Sequence, residues 1–106
     1  MAKRDYCELV LTCASQQEAE KIARHLLNRR LIACAKFLPV ESIYRWKNKT
    51  ETSKETMLLM ESRDNLFVQV EDEVGKLHSY DTFVLKMLPI KAISERAAEW
   101  LDIELR

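Results

Sequence analysis

The 106-residue sequence predicts an α+β sandwich of the split βαβ type: an antiparallel sheet with two helices on one face, a long β-hairpin arm and an extra C-terminal helix. Three observations predict it. Strand-like runs at Tyr6–Cys13 and from Leu31 onward bracket a helical stripe that opens on the capping signature Ser15-Gln16-Gln17-Glu18. A polar turn, Lys47-Asn48-Lys49-Thr50-Glu51, separates two further strand-forming runs, as a hairpin requires. A helix, a strand and a last helix follow in that order.

Tyr6 to Cys13 is apolar and rich in strand-formers, which suits a central strand covered on both faces. Behind Ser15, the residues Ala19, Ile22, Ala23, Leu26 and Leu27 recur at helical spacing and point inward, leaving Glu20, Lys21, Arg24, Asn28 and Arg29 in water. From Leu31 to Leu38 both faces are largely apolar, and a second run, Glu41 to Lys47, follows Pro39. Proline lacks the amide a central ladder needs, so Pro39 is expected at a bulge or bend, within one long bent strand or between two short ones.

The hairpin returns through Thr56-Met57-Leu58-Leu59-Met60. Ser62 or Asp64 then caps a helix with Phe67, Val70, Val74 and Leu77 on one stripe and His78 near its end. A strand is expected over Thr82 to Leu88, with Phe83, Leu85 and Met87 sharing a face. Ser94 caps a last helix that turns Ala97, Ala98, Leu101 and Leu105 inward, with Trp100 beside this stripe. This element order is that of ferredoxin-like folds.

Length and composition fit residues 1–106 as a single domain. Gly75 is the only glycine, Pro39 and Pro89 are the only prolines, and no stretch reads as a linker. Lys plus Arg balances Asp plus Glu at 17 each, so no net field draws the chain to nucleic acid or an anionic membrane. No segment approaches the ~18 apolar residues of a membrane helix, and no apolar signal region follows Met1, so the expected location is cytoplasmic. Cys7, Cys13 and Cys34 are odd in number and contain no Cys-x-x-Cys pair; they read as free thiols, either small hydrophobes or soft ligands.

Two helices cover one sheet face, yet several strands look apolar on both, and the arm from Pro39 to Glu55 is longer than a small sheet needs. An obligate homo-oligomer is expected, because monomers rarely expose large contiguous apolar patches. Tyr44 and Trp46 alternate onto one face of the arm and suit an interface. No nucleophile with a base, no paired-carboxylate site and no phosphate loop is visible, so the expectation is a protein that is not an enzyme.

The ACA triplet in LIACAKFLP, the run SIYRW before a polar turn, the helix leading to Leu77-His78-Ser79-Tyr80, the strand ending in LPI and the late EWL together resemble the CutA family of divalent-cation-tolerance proteins. The match runs from Leu9 to Leu105. What the resemblance implies is a ferredoxin-like subunit in a compact homotrimer, whose long arm pairs with neighbouring subunits. Pro39, Tyr44 and Trp46 would then lie at the subunit interface, with Pro39 bending the strand so that Ser42 to Lys47 leave their own domain.

The resemblance also implies a link to copper and other divalent metals. Cys34 and His78 match family positions associated with copper; a third falls on Leu11, with Cys13 two residues further along the same strand face. Thiolate and imidazole suit Cu(I), Cu(II) or Zn(II). The chain departs from the family pattern at Ser79 and Phe83, each in place of a proline, at Val40 in place of a glycine, at Glu61 in place of a lysine, and in the turn Trp46-Lys47-Asn48-Lys49. The competing expectation is a PII-type trimer that binds small anions or nucleotides, with Lys36, Arg45, Lys47 and Lys86 lining a cleft.

Overall fold

The computed structural model describes residues 5–106. In chain order it contains β1 (Tyr6–Cys13), α1 (Gln16–Asn28), β2 (Cys34–Trp46), β3 (Lys49–Arg63), α2 (Phe67–Leu77), β4 (Leu85–Pro89) and α3 (Glu95–Glu104). The strands form one antiparallel sheet in the order β2-β3-β1-β4. This is the ferredoxin-like α+β sandwich that the sequence predicts.

Strand pairing fixes the two faces. Cys7, Leu9, Leu11 and Cys13 lie opposite Ser62, Met60, Leu58 and Thr56, and all eight are buried. Ala19, Ile22, Ala23 and Leu26 of α1 and Val70 and Val74 of α2 pack onto this face and complete the core. The opposite face carries Glu8, Val10 and Thr12 with their partners Glu61, Leu59 and Met57.

α1 starts at its capping signature: Glu18 N donates to Ser15 Oγ at 3.1 Å, while the Glu18 carboxylate reaches one residue further back than a capping box, accepting from Ala14 N at 2.9 Å. It ends in a Schellman arrangement, with Arg30 N bonded to Leu27 O, Leu31 N to Leu26 O, and Arg30 left-handed at φ 58. Leu27 faces solvent, against its expected inward place. Leu31 is buried, but the strand begins only at Cys34, because residues 31–33 are still turning out of that helix end.

β2 is a single strand. Its ladder with β3 runs through Leu38↔Met57, Pro39↔Thr56 and Val40↔Glu55 without a slip, so no bulge marks Pro39. β2 is an edge strand, whose alternate amides point out of the sheet, and a proline there removes no ladder bond. Past Val40 the two strands leave the sheet as an arm and help stretch the molecule to 50 × 26 × 22 Å. The arm closes in a two-residue turn, Lys47-Asn48, with φ of 51 and 67; both central residues are left-handed, as in a type I′ turn.

Three expected details differ. Ser62 does not cap α2: it sits on the core face of β3 and donates to Leu31 O at 2.7 Å, while a 3₁₀ turn at Asp64–Leu66 leads into the helix without a side-chain cap. β4 begins at Leu85 instead of Thr82, because Phe83 turns inward to stack on the His78 ring at 5.2 Å. Ser94 precedes α3 but its side chain caps nothing, and Leu105 is buried just past the helix end.

α3 docks at one end of the sheet's second face. Tyr6 and Arg63 pair across β1 and β3, and both reach Asp102, Tyr6 Oη at 2.5 Å and Arg63 Nη2 at 2.8 Å. Arg30 donates to the carbonyls of Ile103 and Glu104, which closes the negative end of the helix dipole. The rest of that face stays open, with Leu38 46% and Leu88 48% exposed.

Candidate metal centre

β1 ends, α1 begins and α2 stops at one corner of the core, and this convergence brings Cys13, Glu18 and His78 together. Ligand-type atoms of all three lie within 4.8 Å of one another. Sulfur, carboxylate oxygen and imidazole nitrogen form a donor set whose chemistry suits zinc or copper.

Two of the three donors are already in use. The His78 side chain is fully buried, and its Nε2 lies 2.8 Å from Thr12 O; a carbonyl only accepts, so Nε2 carries the proton. Nδ1 receives the Tyr80 amide at 3.0 Å, so its lone pair is engaged. Glu18 accepts Ala14 N at Oε1 and Ser79 N at Oε2, both at 2.9 Å. Burial works to raise the Glu18 carboxyl, but the bonds from Ser79 and Ala14 outweigh it and hold the group below its ordinary value. Burial first, then the charges of Glu18 and Glu55, push the Cys13 thiol up to about 12, so it stands in the core as a protonated thiol. The right donor types are present, but the lone pair of His78 is committed to the Tyr80 amide and Cys13 is a protonated core thiol, so the group as it stands does not fit a metal ion.

Tyr80 extends this corner to the arm. Its ring packs on His78 at 4.9 Å, and its hydroxyl donates to Glu55 Oε2 at 2.8 Å where the arm leaves the sheet. Burial and that carboxylate hold the phenol above its usual range.

Cys34 lies elsewhere. It pairs with Glu61, which pairs with Glu8, so it stands on the open face, opposite to Cys13 and His78. Glu8 and Cys13 are also about 17 Å apart along β1, at roughly 3.3 Å per residue. Within the chain, then, the fold joins Cys13 to His78 and separates both from Cys34. Cys34 is half-buried; Lys36 Nζ donates to its Sγ at 3.5 Å and lies 3.6 Å from Glu61 Oε1. Cys7 is a core thiol, raised to about 11 by burial and Asp64.

Pro39, Tyr44 and Trp46 all lie exposed on β2, the last two on one side of the arm. Lys36 and Lys86 flank Leu59 and Val10 on the open face, while Arg45 and Lys47 sit at the arm tip, so the chain by itself does not gather these cations into a cleft. Glu18 is the member of the buried corner that sequence reading missed: Ser15-x-x-Glu18 reads as a cap, and nothing local says that the same carboxylate also reaches Ser79.

A model of the CutA1 divalent ion tolerance protein family matches residues 7–104. The divalent-cation tolerance protein CutA of Archaeoglobus fulgidus is 34% identical over 94 residues, 89% of this chain and 92% of that protein. Its counterpart in Thermus thermophilus is 31% identical over 94 residues, 88% and 91% of the two chains. Among solved structures, the periplasmic divalent cation tolerance protein CutA from A. fulgidus superposes with a TM-score of 0.93 at 32% identity, covering 95% of this chain and 99% of that one. CutA1 from Oryza sativa superposes with a TM-score of 0.94 at 27% identity, covering 97% and 95%.

Proposed function

We propose, because this chain belongs to the CutA1 divalent ion tolerance family, that it acts as a cytoplasmic homotrimer that is not an enzyme and contributes to divalent-metal tolerance by binding a soft metal, copper first. The observation that carries the assembly is the open sheet face. Val10, Leu38, Leu59 and Leu88 stand on it, and it continues into an arm on which Ile43, Tyr44 and Trp46 are exposed. Apolar surface of this extent is unusual on a monomer. Further copies of the same chain bury it, and the arms supply the contacts between neighbours.

The copper ligand is Cys34, the one half-buried thiol of each subunit, and it lies on the face that assembly covers. Soft thiolates select Cu(I), and assembly multiplies the thiols available to it. The relatives are named for divalent-cation tolerance and not for a reaction, which supports a non-catalytic role. Three free thiols support a reducing compartment. The Archaeoglobus structure is described as periplasmic, so cell fractionation is the check on location.

Native mass spectrometry before and after Cu(I) addition, under reducing conditions, tests assembly and uptake together. The expected result is a trimer that takes up copper, and a Cys34→Ser trimer that does not. A monomer overturns the assembly. A trimer that stays metal-free, or a Cys34→Ser variant that binds as well as the parent chain, overturns the copper reading.

A further inference from the structure

We propose that His78 is a neutral positioning residue, bonded at both ring nitrogens, which locks the α2–β4 connection against the ends of β1 and α1 and does not serve this chain as a metal ligand. An imidazole presents one lone pair when neutral, at the nitrogen without the proton. Here that nitrogen is Nδ1, and the Tyr80 amide points at it from 3.0 Å. The other nitrogen spends its proton on Thr12 O. Phe83 and Tyr80 pack on the ring, and the side chain has no exposed surface. A metal would have to break the Tyr80 bond inside the core before it gained a ligand.

The second half of the lock is Glu18, whose Oε1 lies 3.7 Å from Nδ1, beyond hydrogen-bond reach. With a lone pair on Nδ1 the two groups do not form an ion pair. Glu18 instead takes its bonds from backbone amides on either side, Ala14 and Ser79. Residue 79 matters here, because a proline at that place has no amide to give and would leave Oε2 without that bond. Ser79 therefore engages the one Glu18 oxygen that Ala14 leaves open beside the thiol. Through Tyr80 and its bond to Glu55, the position of the His78 backbone also sets the root of the arm. The corner is a structural joint between core and arm.

The test is long-range ¹H–¹⁵N spectroscopy of the imidazoles in the full chain, first without metal and then with Cu(I) under reducing conditions. The expected spectrum shows His78 as the neutral tautomer protonated at Nε2, and its signals do not move on copper addition. A proton on Nδ1, or a shift of the Nδ1 resonance with copper, overturns the proposal. The tautomer is read before metal is added, so even a chain that takes up no copper reveals the state of His78, and its failure falls on the copper reading of Cys34 alone.

Two variants add independent readouts. Ser79→Pro is expected to lower the melting temperature through loss of the Glu18 bond. His78→Ala is expected to lower it further and to leave copper uptake intact. Loss of uptake in a folded His78→Ala trimer overturns the proposal; if that variant does not fold, the spectrum of the parent chain decides.

Discussion

Glu73 is a buried carboxylate that draws in side chains from two helices: Lys76 Nζ at 2.5 Å, His25 Nε2 at 2.8 Å and Arg29 Nε at 2.8 Å. Lys76 first, then His25 and Arg29, hold its carboxyl down to about 2 from the ordinary 4.5, against the opposing pull of burial. A folded value below the unfolded one means that the stabilisation is present in full above about pH 4.5 and is lost as pH falls toward 2. Glu73→Gln is therefore expected to lower the melting temperature at pH 7 and to approach the parent chain near pH 2, read by calorimetry across that range. A gap that stays constant down to the lowest pH would remove the charge from the account. None of this is visible in the sequence, where Glu73 falls between Val70 and Val74 on a helix whose cations come from one turn onward and from another helix altogether.

At the scale of elements, α1 is the part that local chemistry determines most completely. Ser15→Ala removes the acceptor for Glu18 N and is expected to cost about 1 kcal/mol in urea unfolding, the usual size of a lost N-cap. An unchanged midpoint would mean that the Glu18 carboxylate alone holds the helix start. α3 is the opposite case, since its place depends on partners far away in the chain. Tyr6→Phe deletes the hydroxyl that meets Asp102 and Ala98 O and is expected to destabilise by roughly 1–2 kcal/mol, with faster hydrogen exchange in α3 than elsewhere. Uniform exchange would show that the helix is held by its apolar contacts. The shortened start of β4 and the missing cap on α2 share one cause: Phe83 and Ser62 are taken up by partners, the His78 ring and Leu31 O, that no local pattern announces.

For the whole molecule, the open face and the arm decide the outcome. If arms cross between subunits, Trp46→Ala should weaken assembly by ~2 kcal/mol or more, the cost of truncating a buried interfacial tryptophan. Sedimentation at falling protein concentration reads this directly, and a trimer of undiminished stability would return Trp46 to the surface of its own subunit. Cys34 belongs to this scale as well. Within one chain it is a thiol beside Lys36 and Glu61, and further soft donors would have to come from a second copy on its face.

The sequence by itself determined the order of the elements, the capped start of α1, the polar turn of the arm and the excess of apolar surface. Each of these is written in periodicity and capping chemistry over fewer than about 20 residues, where chain connectivity already fixes the geometry. Only the tertiary structure decided that Pro39 sits in an unbroken edge strand, that Cys34 and His78 face opposite ways, and that His78, Glu18 and Ser79 are bound to one another. A one-residue difference in strand parity reverses the face a side chain takes, and a hydrogen bond from Ser79 to Glu18 spans 61 positions of sequence. Such relations are set by how the layers pack, and they decide which electron pairs remain for chemistry.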